Sequence, residues 1–572
     1  MSIENEKKYT EEEILEILRN KLVKGETITN LKKQLEISEY EIFGYVKKLK
    51  DNNVNVIFTE KNDDIKLIPV NVTCPPAAVT DREVAVVWDK PEMWETIREY
   101  EIYVDNGIVG TTDKTGYTIR GLSVNSPYTI TIRAITLDGE LSGKSEPVFV
   151  KTKPRAEVID IMEFGAVGDS VTLNTVAIQR AIDECSEGGK VVIPQGIFLS
   201  GAIFLKSNMT LYLEDGAVLM GSPDTKDYPL MEYRFEGTEK LCYASLVNTK
   251  SQTERLSNIT IAGPGTINAN GEKLFRAEMD EKAGIRGRAV CIRNVDNLYL
   301  QDVTVRQSPA WCVHLIYCNN VSINNVQVYT KYDENGVRYK DIFNGDGIDP
   351  DSCSNVYIFN SLIASQDDCI AIKSGRDKEG RAVGIPCENI RITDCIFNSG
   401  FGVAVGSEMS GGVRNVLVKD CEFNDTFSIG TVKAPRGRGN VIENITYENI
   451  THKNFSTDHK DCRWFRGAIY VDQFYSHETF DVDAAEPVDE GTAIIRDITF
   501  KDIELETVGG NAVYLAGLPE SPLINITLDN VTAKGKRGMK AMNIDGLCMK
   551  DVTVVSCEDD AYYLKNVKES KR

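Results

Sequence analysis

A short phrase recurs along the chain from about residue 155 onward: an Asn, alternating apolar residues, then an Asp- or Asn-led step back into apolar residues. It reads NITIAG at 258, NLYLQDVTV at 297, NVSINNVQV at 320, NVYIFNSLI at 355, NIRITDCIF at 389, NVLVKDCEF at 415, NITYENI at 444 and NITLDNVTA at 525. Between 297 and 444 the copies lie roughly 22 to 35 residues apart, the irregular spacing of solenoid coils with loops of varying length between short strands. A β-solenoid turns alternate residues inward and stacks successive coils at about 4.8 Å, so equivalent positions of neighbouring coils lie above one another. Residues 177–185, AIQRAIDEC, read as an amphipathic helix capping the open end.

A chain of 572 residues exceeds what one hydrophobic core usually organises, and two further segments precede the solenoid. Residues 1–66 are rich in Lys and Glu with apolar residues at helical spacing, and three short helices fit. The stretch from Thr27 resembles a winged helix-turn-helix, with Ser38 capping the second helix. That helix carries Glu39 and Glu41 among its lysines and no arginine, so a protein-contact module is expected rather than a DNA reader. Residues 69–153 change to alternating strand patterns such as VAVVW, YEIYV and YTITIRAI, separated by DNG, NSP and LDGE turns. This segment resembles a fibronectin type III domain, with Trp88 on an early strand, Tyr100 and Tyr103 on the next, and Leu122 six residues before Tyr128.

Composition narrows the function classes. The 42% apolar and 26% charged fractions are those of globular protein, and no apolar run reaches the ~18 residues of a membrane span. The acidic start MSIENEKKYTEEE lacks the basic and apolar stretches of a secretory signal, which makes cytoplasm the expected compartment. The 14 cysteines form no CxxC pair or metal-ligand spacing, so reduced thiols are expected, with no metal and no cofactor. A net charge of −21 argues against a nucleic-acid partner. Any site for an acidic sugar must then be locally basic.

Aligning coils on their inward apolar residues places the chemistry. Ile348 of NGDGIDPDSC matches Ile370 of SQDDCIAIKSG and then Val403 of SGFGVAVGSE, so Asp346 stacks beneath Asp368 with Asp367 beside it. Three clustered carboxyls raise at least one pKa, which suits glycoside hydrolysis, where one carboxylic acid protonates the departing oxygen and another carboxylate activates water or attacks.

These motifs, with VIDIMEFGAVGD, GPGTINANG, SPAWCVH, VGSEMSGGVRNV, VKAPRGRG and GLPESPLINITLDNV in order, resemble the polygalacturonase family of glycoside hydrolases, family 28, over about 155–560. The resemblance implies an all-β, right-handed parallel β-helix of the pectin lyase-like kind and a pectic polysaccharide or oligogalacturonide substrate. It implies inversion, with Asp367 as acid and Asp346 and Asp368 holding the nucleophilic water, and the GSEMSGGVRNV and KSGRD loops resemble exo-acting members. Lys433 is expected to bind a substrate carboxylate and Lys373 to face the groove, with Arg376, Glu408 and Arg414 as lesser candidates. Tyr475 and His314 are expected in the groove, Asn344 to orient Asp346, and Asp349 and Asp351 to cap the following turn.

The chain departs from the family pattern where the family has a His, here Gly400, and where it has the Arg of an Arg-Ile-Lys motif, here Thr431. Arg436 and Arg438 are candidates to supply the missing guanidinium. These departures keep rhamnogalacturonan oligosaccharides open as substrates, and a non-catalytic sugar-binding solenoid as a further alternative. A pectate lyase would share the fold but needs a calcium cage and an Arg or Lys base.

Overall fold

A computed structural model describes residues 9–22, positions 31, 34, 35, 45 and 49, and residues 64–570 apart from 250–252, 283, 334, 340–341, 456–465 and 476–478. The chain divides into two units, Met1–Pro154 and Arg155–Arg572. In the first, a helix spans Glu11–Leu22 and buries Ile14 and Leu18 in a small cluster with Leu31, Leu35 and Leu49. Most of the predicted helix-turn-helix, Ser38 included, lies outside the described residues.

The following segment is the expected sandwich. Three antiparallel strands, Val70–Thr73, Val84–Asp89 and Gly116–Ile119, face four others, Gly107–Thr112, Ile97–Val104, Pro127–Thr136 and Val148–Lys151. Their inward residues meet around Trp88, which packs edge-on against Tyr100 at 5.3 Å. The Ser123 N–H donates to the Tyr128 hydroxyl at 2.8 Å, fixing the corner before the long strand.

In the second unit the strands of successive coils pair in parallel, from Val158–Asp160 to Tyr562–Glu569, most often with the third strand after in the middle of the unit and with the second after once the coils' strands fuse near its end, giving a right-handed parallel β-helix. The phrase Asn explains how each coil turns. Asn258, Asn297, Asn320, Asn355, Asn389, Asn415 and Asn444 all adopt positive φ, a conformation that Asn tolerates better than other side-chain-bearing residues. Their amides stack from coil to coil: Asn389 donates to Asn355 at 3.1 Å and Asn415 to Asn389 at 3.0 Å. The Asn that opens each phrase thus both bends the backbone and ties its coil to the neighbouring one. The interior is a single apolar stack whose rungs include Ile348, Ile370 and Val403, paired in the register expected. The predicted capping helix forms over Thr175–Glu184 and buries Ile178, Ala181 and Ile182.

One outward row of side chains runs Cys291, His314, Asp349, and, farther along, Ala404, Thr431, Tyr470 and Tyr514. It is roofed at both ends. A hairpin, Leu230–Phe235 with Thr238–Tyr243, builds an apolar cluster of Tyr233, Phe235 and Cys242 over Cys291, Ala310 and Ile316. Farther along, Phe474 and Phe480 cover Tyr470 and Tyr514. Among the described residues, the stretch between the two roofs stays open.

Candidate active site

That open stretch is a cleft of about 530 Å³ lined by Asp367, Asp368, Lys433 and Tyr475, among others, within the size range of small-molecule sites. The stacking expected from sequence holds: Gly347 donates its N–H to the Asp368 carbonyl at 2.9 Å, setting Asp346 one coil below Asp368. The turn before each outward strand therefore supplies the carboxyls.

Two of the three aspartates carry their own lysine. Lys373 Nζ lies 3.2 Å from Asp346 Oδ2, and Lys433 Nζ lies 2.7 Å from Asp368 Oδ2. Asp368 Oδ1 is buried with no hydrogen-bond partner among the described residues, which leaves it able to hold a water. Asp367 forms no ion pair among the described residues; its Oδ1 accepts the Asp368 N–H at 2.9 Å. Burial, then the charges of Asp346 and Asp368, push the Asp367 carboxyl up to about 8. Burial and Asp349 likewise raise Asp346, with Lys373 opposing them. Burial opposes the charge on Lys433, but Asp368 outweighs it and the ammonium is held above its ordinary value. The site thus sets a carboxyl that stays protonated near neutrality, Asp367, beside two carboxyls that each lie against a lysine ammonium, an asymmetry that acid–base cleavage of a glycoside can use.

Several expectations are corrected. Lys373 does not face the cleft: it is buried, bridging Asp346, Asp349 at 3.3 Å and Glu408 at 3.7 Å beneath the Trp311 ring. His314 does not line the groove: it lies in the outward row but is fully buried, because Trp311 packs edge-on to it and the hairpin's Phe235 stacks on Trp311 at 5.2 Å. Burial drives its imidazole down to about 3, so it stays neutral. Asp349 and Asp351 do not cap a turn; both lie in the strand Ile348–Asp351 and are fully buried. Burial raises Asp349 to about 7, while Asp351 pairs with Arg234 at 2.6 Å. Asn344 lines the cleft, but its side-chain oxygen accepts from Arg286 at 3.0 Å and no bond to Asp346 is seen among the described residues.

The two arginines split. Arg436 points away to Glu520 at 2.6 Å and Glu486 at 3.3 Å, whereas Arg438 lines the cleft. Arg376 and Glu408 line it too, and Arg414 pairs with Glu388 in another ion pair. Gly400 cannot be the position of a tuning side chain. With φ +88° it backs onto the next coil so closely that an added Cβ would sit 2.4 Å from the Asp367 carbonyl oxygen. The residue of that turn that lines the cleft is Phe401, 5.0 Å from Phe427. Thr431 also lines it, its hydroxyl 2.7 Å from Ser428 Oγ. Sequence reasoning missed Phe401, Glu236 and Gln366 in the lining, and missed Arg234 and Trp311 behind it. Among the described residues no three His, Cys, Asp or Glu side chains are grouped to hold a metal.

Comparison with known proteins agrees with this geometry. The family described as Glycosyl hydrolases family 28 matches residues 230–557, and the fibronectin type III domain matches 68–151. The chain belongs to glycosyl hydrolases family 28. It is a glycoside hydrolase by descent. An exo-poly-α-D-galacturonosidase of Dickeya chrysanthemi is 26% identical over 84% of this chain and 94% of its own length. A probable polygalacturonase of Vitis vinifera is 31% identical over 67% of this chain and 76% of its own. Among solved structures, a family 28 exopolygalacturonase of Yersinia enterocolitica superposes with TM-score 0.73 at 23% identity, covering 88% of this chain and 99% of that one. An exopolygalacturonase of Thermotoga maritima gives 0.57 at 26% identity over 69% and 92%.

Proposed function

We propose that this family 28 hydrolase removes galacturonate from the end of a pectic chain, with inversion. Asp367 is the general acid, and Asp346 and Asp368 hold the attacking water. The observation that carries the chain-end reading is the double roof. A polymer bound at an internal linkage needs a groove open at both ends, and here the outward row is covered on one side by the hairpin cluster and on the other by Phe474 and Phe480. The hairpin is sealed in place: Arg376 donates its N–H to the Gly237 carbonyl at 2.9 Å and Glu239 donates to Glu379 at 2.8 Å. The names of the Dickeya and Yersinia relatives point the same way.

The role assignment rests on the lysines. Asp346 and Asp368 each lie against an ammonium that favours a carboxylate on the water side, while Asp367 has no ion pair among the described residues and is pushed up to about 8. Water activated by Asp346 and Asp368 attacks the anomeric carbon while Asp367 protonates the departing oxygen, so the anomeric configuration inverts in one displacement.

A second reading concerns the departing sugar. Thr431, at the family's arginine position, and Phe401, in the turn where the resemblance sets a histidine, give the cleft an uncharged, partly aromatic wall. Such a wall suits a 6-deoxy sugar, as in rhamnogalacturonan, better than a second uronate. Incubation with defined oligogalacturonides and rhamnogalacturonan oligomers, followed by mass spectrometry and proton NMR, decides between them. Release of single galacturonates, first appearing in the inverted configuration, is expected from one series or both. Mixed oligomeric products would overturn the chain-end reading, and no release from either series would overturn the proposal.

The pH profile is a further expectation. Turnover needs Asp367 protonated, so kcat should fall as pH rises through about 8. A profile flat to pH 10 would contradict its role.

A further inference from the structure

One lip of the cleft is built from charges that the three aspartates do not use. Arg376 follows the strand Ile370–Ile372, and Arg438 follows the strand Gly430–Lys433 two coils on. Both converge on Asp377. Arg438 Nη1 donates to Asp377 Oδ1 at 2.5 Å and its Nε to the Ser407 carbonyl at 2.6 Å. Arg376 Nε donates to the other oxygen, Asp377 Oδ2, at 3.4 Å. One carboxylate therefore orients two guanidinium groups that line the same cleft as Asp367 and Lys433. A guanidinium carries more N–H donors than these contacts consume.

Cations are concentrated on this lip. Glu236 is matched by Lys240 at 3.5 Å, and Glu408 shares Lys373, at 3.7 Å, with Asp346 and Asp349. The two arginines have Asp377 as their one shared side-chain partner among the described residues, in a chain whose net charge is −21. A chain so acidic repels a uronate unless its site is locally basic, and Lys433 is committed to Asp368 at 2.7 Å. Thr431, with its hydroxyl on Ser428, brings no charge to the wall it occupies.

Resting on the hydrolase reading above, we propose that Arg376 and Arg438, bridged by Asp377, form a clamp that reads the carboxylate of the substrate's uronic acid. Planar guanidinium groups match a carboxylate in two-point hydrogen bonding, which a lysine cannot reproduce. The clamp distinguishes an acid from its neutral hexose, whatever sugar departs.

The test is an NMR titration of the full chain with galacturonate and with galactose, for the wild type, Arg376→Ala and Arg438→Gln, with Arg414→Ala as a control away from the cleft. The wild type should prefer the acid by roughly ten- to hundredfold, the worth of a charged hydrogen-bonded pair. Either clamp substitution should bring the two sugars towards equal affinity, and Arg414→Ala should leave the preference intact. Wild-type protein with no preference for the acid, or a preference that survives both substitutions, overturns the clamp. So does an equal loss for galactose, which marks a merely structural role. Because the readout is binding, a wild type that prefers galacturonate but releases no sugar from any oligomer refutes the hydrolytic proposal and leaves the clamp standing.

Discussion

Exchanging Asp367 for asparagine is expected to lower kcat by about 10²- to 10⁴-fold, the usual contribution of a positioned general acid. The amide keeps the side chain's size and its oxygen can still accept the Asp368 N–H that Asp367 Oδ1 accepts at 2.9 Å, so the turn should hold its shape. What is lost is a transferable proton beside the departing oxygen. The loss should therefore depend on the leaving group: large for a sugar, which departs as a poor alkoxide, and small for an aryl galacturonoside, whose phenolate needs little protonation. It should also remove the decline in kcat near pH 8 that burial and the neighbouring carboxylates impose on Asp367. Steady-state kinetics on both substrate types across pH 5–9 measure this. An equal loss on both would show that Asp367 acts on the water or the sugar instead, and would move the acid's role to Asp346.

How far such a site is legible in sequence depends on which contacts are periodic. The coil register was readable because each phrase repeats an alternating inward row, so matching Ile348 to Ile370 and Val403 was enough to set Asp346 beneath Asp368. The left-handed Asn that opens each phrase marks where the coil turns, and it recurs for that reason. Reading fails where one residue of register matters or where a loop folds back. A slip of one position in SGFG exchanged Phe401, which lines the cleft, for Gly400, which cannot carry a side chain there. Arg436 and Arg438 are two apart in a turn, where strand alternation no longer holds, and they go to different walls. His314 was expected in the groove, and nothing periodic reveals that Phe235, from a hairpin some 80 residues earlier, roofs Trp311 above it and buries it. Arg234 is more hidden still, since its partner Asp351 is 117 residues away in sequence.

Replacing Arg234 with methionine should destabilise the β-helix unit by about 3–5 kcal/mol, the usual cost of removing one partner of a buried ion pair. Arg234 and Asp351 are both buried, 2.6 Å apart, and Arg234 also donates to Ser352 Oγ at 3.0 Å and to the Tyr317 hydroxyl. Without the guanidinium, Asp351 is an uncompensated charge under the roof. The pair also sets a pH dependence. Against the upward push of burial, Arg234 and His314 hold Asp351 down to about 2, so its stabilisation is complete above the ordinary carboxylate pKa of about 3.9 and is lost as pH falls through about 2. Asp349 and Asp367 have the opposite sign: raised to about 7 and about 8, they make the fold more stable as pH drops from 8 towards 4. Wild-type stability should therefore pass through a maximum at mildly acid pH, and Arg234→Met should lose the decline on its acid side as Asp351 protonates at higher pH. Chemical denaturation followed by tryptophan fluorescence at several pH values reads both effects. The double variant Arg234→Met with Asp351→Leu separates charge from packing: if the cost is the orphaned carboxylate, the double variant should be more stable than Arg234→Met alone. A double variant no better than the single would place the cost in the hairpin's seating. In that case substrate should enter a loosened roof, and release of oligomers alongside single sugars would appear in the product pattern.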